Sequence, residues 1–499
     1  MRFPCFRSVF AFSGGLVLAL ACTATAQTFQ NYINFAGLYD TADGWRPDFG
    51  NLSVGNPLAE PGVAAGVYQG QTRLMVGADN AIGQFYNALN GPVNTHNAAQ
   101  SLASVFTSVL PSGDIVSQPQ VLRDQSSFQL PGQPAELLDR FIILAEAYNP
   151  TTHDSRIALA VTRYNVVGEN GQCIYSFSVN DTATNAIFAD EPRLGVSANA
   201  LLVTANAYST ANSAFQYAKV WTIPKANVYN NPSLGTCPAW QHPNSLVLNE
   251  RNSDGSLPFS VVPVKSSNGS TTTYMINSLF NSGNTLTLWI LHTDNPTVIT
   301  GSYGPVSVNR YSSPPNAQQS GTSGLISTWG TRLFTVVYQA GSGLWTANST
   351  ACKPPGDTLQ RSCVQWYAID PSSDRVLQQG IVESSGYYFY APAIATNTLG
   401  DAVLVFNGSS VNHHVGIYFT GRYHTAPLNT MQASIPLLRN GDGCYIRSAG
   451  SNTVSLHSDV TVDPIYSGVF WLHSAYAYGT DTNCQKNDWA TWIGAVEFK

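Results

Sequence analysis

Charge is what this 499-residue chain has least of: Asp, Glu, Lys and Arg make up 10% of it, 23 basic against 29 acidic, for a net −6. No run of Lys or Arg occurs, so nothing would neutralise a row of phosphates or an anionic bilayer, which excludes nucleic acid as a partner. Long hydrophobic runs are also missing. Beyond the first two dozen residues, no stretch reaches the ~18 apolar residues of a membrane-spanning helix. Catalytic signatures are lacking as well: there is no G-x-S-x-G, no H-E-x-x-H, no P-loop and no dinucleotide-binding glycine pattern. No cofactor and no metal centre are expected. The Ser-x-Asp-x-Gly-x-Thr-Trp turns that mark sialidases are absent too.

What the chain does have is Gly, Pro, Asn, Ser and Thr in quantity, with 10 Trp, 24 Tyr and 22 Phe. Such a turn-rich, aromatic-rich profile belongs to a folded all-β protein, because disorder goes with few aromatics and high net charge. One phrase keeps returning, a short apolar run that leads to a turn and a second run. It occurs at Thr72–Val76, Asp139–Ile143, Ala200–Thr204, Ile276–Phe280, Thr331–Thr335, Asp401–Val405 and Ser467–Trp471. Seven copies at roughly 50–80-residue spacing predict an all-β fold, a β-propeller of seven blades of antiparallel strands with long loops. It would form a single domain over residues 27–499.

Hairpins are legible inside the units. Leu333–Tyr338 stops at Gln339-Ala340-Gly341-Ser342-Gly343 and resumes as Leu344–Ala347, a strand, a Gly-rich turn and a strand. Phe29–Pro61 reads as irregular but able to supply a closing strand, and Trp492–Phe498 as a ring-closing strand. Asn97–Val109 is a stretch that helix and strand readings fit equally.

The first 26 residues read as an export signal: Arg2 and Arg7, an apolar stretch from Val9 to Ala21, and Ala24-Thr25-Ala26 before Gln27. The protein is therefore expected to be secreted. Ala19-Leu20-Ala21-Cys22 offers an alternative, a lipid anchor on Cys22. Six cysteines remain in the exported part, and an even number there predicts disulfides. The nearest-neighbour scheme is Cys173–Cys237, Cys352–Cys363 and Cys444–Cys484.

Candidate site residues are few. Asp190 and Glu191, at the head of a strand-opening phrase, are the acids best placed to line a channel or a face and to act in glycoside hydrolysis, which needs two carboxyls near each other in space. An ion pair with Arg193 is the plainer account of them. Tyr387, Tyr388 and Tyr390 form a dense aromatic run that could stack on a glycan, although packing between blades uses the same residues. His413, His414 and His424 form the one histidine cluster, but neighbours on a strand point to opposite faces and cannot chelate together. Glu250–Gly255 resembles half of a calcium loop. Val261 stands where such a loop needs an acid, so a turn is expected there.

Asp190-Glu191-Pro192-Arg193-Leu194-Gly195-Val196, Trp366-Tyr367-Ala368-Ile369-Asp370, Asn397-Thr398-Leu399-Gly400-Asp401 and Trp489-Ala490-Thr491-Trp492-Ile493-Gly494 carry a resemblance. Spread over Asp190–Phe498, these phrases resemble a group of large exported β-propeller proteins, mostly bacterial and mostly without assigned chemistry. The resemblance implies the fold and export. Members of the group carry an Arg-Trp-Gly-Asp-Tyr-like stretch before Val-Asp-Pro. Here Val462-Asp463-Pro464 follows Ser455–Val460, and of that stretch only the acid Asp459 remains.

The function expected from these features is extracellular binding or adhesion, with propeller loops recognising a glycan or a surface protein. The alternatives are a polysaccharide-active enzyme, hydrolase or lyase, using Asp190 and Glu191, and a structural envelope or matrix component.

Overall fold

The computed structural model describes residues 29–39, 59–68, 70–85, 88–90, 98–125, 140–162, 172–180, 186–229, 236–266, 269–295, 300–446, 452–479, 484 and 488–498. The proposed export signal and Cys22 lie outside them. The described strands form seven four-stranded antiparallel sheets, each built from strands consecutive in the chain except the last. The first strands of the seven sheets are Gly62–Tyr68, Ile115–Asp124, Ile187–Val196, Val262–Pro263, Leu333–Gln339, Tyr388–Thr396 and Asp459–Val462. Each touches the next and the seventh touches the first, so they surround a central channel. The molecule is a seven-bladed β-propeller.

Ring closure involves both chain ends. In the seventh blade Val469–Tyr478 and Asp488–Phe498 follow the channel strand, and Phe29–Tyr39 is added as the outermost strand. It runs antiparallel to Asp488–Phe498, with Phe29 opposite Phe498 and Ala36 opposite Trp492. The strand expected from the N-terminal segment and the one expected near residue 498 are thus neighbours in one blade.

Second strands are sandwiched between blades, which explains why the recurring phrase is a continuous apolar run and not an alternating one. Arg140–Tyr148 and Ala402–Ser410 are buried almost throughout. The outermost strand Thr300–Ser312 is mostly solvent-facing and alternates only from Val306 to Asn309. In six blades the phrase falls on or leads into the second strand. In the fifth, Thr331–Thr335 opens the first strand, because channel strands are buried on both sides and read the same way. Close packing sets a glycine requirement where two channel strands meet: a Cβ on Gly195 would lie 2.6 Å from the Cβ of Pro263. The ambiguous Asn97–Val109 stretch divides. Ala98–Ser101 pairs as an edge strand, and Leu102–Phe106 forms a single helical turn whose first N–H groups include Ser104 N, donating to Ser101 Oγ at 3.1 Å.

Cys173–Cys237, Cys352–Cys363 and Cys444–Cys484 are disulfides. The first joins the outermost strand of the second blade to a loop of the third, the second ties a hairpin of the fifth, and the third fixes the loop leading into the seventh. No described helix is long and apolar enough to cross a membrane.

Asp463, from the Val462-Asp463-Pro464 motif, holds the first and last blades together. Its carboxylate accepts from Thr72 Oγ1 of the first blade and Trp471 Nε1 of the seventh, both at 2.8 Å, and from the backbone N–H groups of Ile465 and Tyr466. Asp463→Ala would leave a buried indole N–H and a buried hydroxyl without partners, costing about 2–3 kcal/mol. Urea unfolding of the variant, with Asp463→Asn retaining part of the loss, checks this. An unchanged midpoint would show that the seam is held by apolar packing alone.

Candidate functional site

Antiparallel order within each blade sends first and third strands away from one face of the ring and second strands back towards it. Residues at the starts of first strands and at the ends of second strands therefore share that face, called here the upper face. The channel strands are distorted where they begin. Gln118, Glu191 and Ala391 have left-handed backbones (φ 56°, 52° and 54°). In their blades the register between first and second strand slips at Ser117/Gln120, Asp190/Arg193 and Tyr390/Ala393. A proline follows each of the three, and proline fits a bulge, where no ladder N–H is needed. Ser260 (φ 49°) leads into the fourth channel strand in the same left-handed conformation. Non-glycine residues in this region cost of order 1–3 kcal/mol and gather at functional sites.

The bulge at Glu191 decides the chemistry. On a regular strand Asp190 and Glu191 would point to opposite sides. Here both carboxyls belong to one charged group at the channel mouth. The amide side chain of Gln118 clamps the pair, Oε1 accepting from Glu191 N at 2.8 Å and Nε2 donating to Asp190 Oδ1 at 3.3 Å. Glu191 Oε1 is ion-paired with Arg332 NH1 at 2.7 Å, and Oε2 accepts from Ser260 Oγ at 3.1 Å. Asn206 Oδ1 fixes Ser260 by accepting from its N–H at 2.8 Å. The Arg332 guanidinium rests over the rings of Phe259 and Trp329, 4.8 and 5.3 Å from their centroids.

Glu60, Asp79 and Glu146 add three more buried acids. Glu60 precedes the first channel strand, Asp79 sits on the turn after the second strand of that blade, and Glu146 is near the end of Arg140–Tyr148. Burial raises the Glu60 and Glu146 carboxyls well above the ordinary range, with neighbouring acids adding to the rise and Arg193 opposing it at Glu60. Asp190, which keeps partial solvent access, is pushed up to about 6, chiefly by burial and then by the Glu191 charge. Tyr208 beside it is raised to about 12, mainly by burial. The mouth thus holds carboxyls in different settings, Glu60, Glu146 and Asp190 raised by burial and Glu191 ion-paired with Arg332, and such differences are how a site can carry both an acid and a base.

Two cations cross the channel below the acids. Arg193 NH1 of the third blade donates to His457 Nε2 of the seventh at 2.9 Å, so that His457 carries its proton on Nδ1, which donates to Ser458 O at 3.1 Å. Burial and the nearby cations depress the His457 imidazolium well below the ordinary histidine range. Lys265 Nζ of the fourth blade pairs with Asp459 Oδ2 of the seventh at 2.7 Å, and the same oxygen accepts from Val63 N of the first blade at 2.9 Å. Beyond this bar lies a cavity of about 340 Å³ towards the lower face, lined among others by Ser266, Tyr338, Asn397 and Asp463.

Asp190 and Glu191 thus stand in one buried charged group with Glu60, Glu146 and Arg332, the ion-pair partner of Glu191; Arg193 contacts His457. Tyr388 and Tyr390 are 5% and 1% exposed, and half-buried Tyr387 packs on Phe389, His413 and Tyr418. His413 and His424 lie at opposite ends of the strand His413–Arg422, His424 being paired with Asp401 at 2.8 Å. Glu250–Gly255 forms the expected turn, closed by Gly255 N donating to Asn252 O at 2.9 Å. Sequence reading missed Glu60, Glu146, Arg332 and His457 as members of the site. One signal was there to be used: a residue followed by proline ahead of the recurring phrase, at Glu60-Pro61, Gln118-Pro119, Glu191-Pro192 and Ala391-Pro392.

No family model matches this chain, and no curated protein matches it in sequence. Among solved structures it is similar to the α-L-arabinofuranosidase Arb93A of Fusarium graminearum, in complex with an iminosugar inhibitor. The two are 8% identical over 94% of this chain and 98% of the other, with a TM-score of 0.40. It is also similar to Trypanosoma rangeli sialidase in complex with the inhibitor DANA, at 11% identity over 76% of this chain and 54% of the other, TM-score 0.35. Likeness at this level concerns the course of the chain, and the reading of the site rests on its own residues.

The raised carboxyls set a pH dependence. Glu146 binds its proton more tightly folded than unfolded, so its stabilising contribution is complete below the ordinary carboxylate range and is lost as pH rises through its folded value. Glu146→Gln keeps the neutral shape and removes that titration. The variant should match the parent near about pH 4.5 and exceed it in thermal stability at about pH 8, as measured by unfolding midpoints across that range. Parallel curves would show that Glu146 is not the group taking up the proton.

Proposed function

We propose that this protein is a glycoside hydrolase that acts on a polysaccharide outside the cell. The observation that carries this reading is the bulge at Glu191, which gives two adjacent carboxyls to one mouth in different settings: Asp190 partly open to solvent and raised to about 6, Glu191 ion-paired with Arg332 and held by Ser260. Glycosidic cleavage needs one carboxyl that gives a proton and one that stays a carboxylate. In this role Asp190 donates its proton to the leaving glycosidic oxygen as the bond to the anomeric carbon breaks. Water adds its hydroxyl to that carbon, and its remaining proton passes to the carboxylate of the pair. Gln118 positions both acids, and Arg332 pairs with the Glu191 carboxyl.

Export fits the same reading. The N-terminal stretch has the form of a signal, and three disulfides suit an oxidising compartment.

The test is incubation of the mature protein with a panel of extracellular polysaccharides, following both depletion of protein and release of reducing ends. Asp190→Asn should lower turnover by about 10²–10⁴ and leave binding in place. Depletion without new ends, in parent and variant alike, would replace the hydrolase with a glycan-binding protein that works through the same mouth.

A further inference from the structure

Six aromatic rings form an unbroken series on the upper face, from the second blade to the fourth. Tyr148 meets Phe188 edge-on at 6.1 Å, Phe188 stacks on Tyr208 at 5.3 Å, and Tyr208 meets Phe215 at 5.7 Å. Phe215 meets Phe259 at 5.0 Å, and Phe259 meets Phe280 at 5.5 Å. Topology accounts for their shared face. Tyr148 and Tyr208 close second strands, Phe188 opens a first strand, Phe215 opens a third, Phe259 precedes a first, and Phe280 lies on a turn between second and third. None of the six is fully buried, and Phe280 at the end is 56% exposed. A large apolar ring held mostly in solvent at a hairpin tip, touching only Phe259 of the series, gains little for the fold, and exposed apolar patches mark binding surfaces.

The series joins the acid group at three places. Phe188 precedes Asp190 by two residues on one strand, Tyr208 feels the Asp190 and Arg332 charges, and Phe259 carries the Arg332 guanidinium on its ring next to Ser260, which binds Glu191. We infer that the ridge from Phe188 to Phe280 is a track for successive sugars of a neutral polysaccharide chain, lying across the third and fourth blades with the bond to be cut over Asp190. Aromatic faces take the C–H faces of sugar rings, and the hydroxyls at the rims remain hydrated. A uronate polymer is disfavoured because the two cations at the mouth are already committed, Arg332 to Glu191 and the buried Arg193 to His457, and are not left to meet its carboxylates. Only the position of the cut rests on the hydrolase reading; the track itself is a binding surface.

Affinity electrophoresis separates the two. The parent, Asp190→Asn and Phe280→Ala would be run through gels containing arabinan, xylan, galactomannan, mixed-linkage β-glucan or polygalacturonate. At least one neutral polymer should retard the parent and Asp190→Asn alike, and polygalacturonate should retard neither. Phe280→Ala should bind that polymer about tenfold more weakly with an unchanged unfolding midpoint, since its side chain is mostly in solvent. Retardation of Phe280→Ala equal to the parent's would overturn the track and leave the hydrolase standing. Retardation that Phe280→Ala loses, with no release of reducing ends by the parent, would keep the track and remove the hydrolase. No retardation by any neutral polymer, or retardation by polygalacturonate alone, would overturn the track.

Discussion

Antiparallel pairing of Phe29–Tyr39 with Asp488–Phe498 is the constraint on which the rest of this protein depends. The ring closes where the seventh blade packs on the first, and the outermost strand of that seventh blade comes from the N-terminal segment, so both ends of the described chain meet within one sheet. The backbone bonds of that pairing are supplemented at the seam by Asp463, which takes donors from both the first and seventh blades. Closing the ring also fixes which residues face one another across the channel. Arg193 reaches His457 and Lys265 reaches Asp459 because blades three and four stand opposite blade seven, and in no smaller piece of the fold would these pairs exist.

Burial of so many polar groups at the mouth is expensive, and the structure shows how the cost is limited. Burial favours the neutral forms of Glu60, Glu146 and His457, and Glu191 is ion-paired with Arg332. Asp190 differs from the others because solvent reaches it: burial and then the Glu191 charge push it up to about 6, and no cation lies at hydrogen-bonding distance from it among the described contacts. Left-handed backbones at Gln118, Glu191 and Ser260 add strain to the same place. A group of acids that served stability alone would be better replaced by apolar side chains. Their concentration at one end of the channel is what gives the upper face its character.

The aromatic content that the sequence displays so openly serves two ends. Trp221, Trp345, Trp366, Trp471 and Trp489 are fully buried between blades, where large rings fill the wedge that widens outward from the channel. Tyr388 and Tyr390 belong to that set although they sit in the densest aromatic run. The rings that keep solvent access, from Tyr148 to Phe280, are scattered singly along the chain and gain their continuity only from the strand ends that bring them to one face.

The division between what the chain spells out and what folding adds follows from distance along the sequence. Strands, hairpins and turns depend on side-chain alternation and on Gly, Asn and Pro within a few residues, so seven β units, the hairpin between Leu333 and Ala347, and the closing strand near Phe498 could all be read directly. The nearest-neighbour disulfides were legible for a related reason, since each joins segments of the same or adjacent blades. Asp190 and Glu191 stood out because they are adjacent in sequence. Their partners did not: Glu60, Glu146, Arg332 and His457 come from four other blades and meet only when the ring closes. Nor does simple alternation describe Asp190 and Glu191, because a bulge breaks the ladder between Asp190 and Arg193 and gives Glu191 a left-handed backbone at the mouth. Composition and local pattern determined a seven-bladed ring of sheets; only the closed ring, by bringing distant strand ends to one mouth, decided where chemistry can occur.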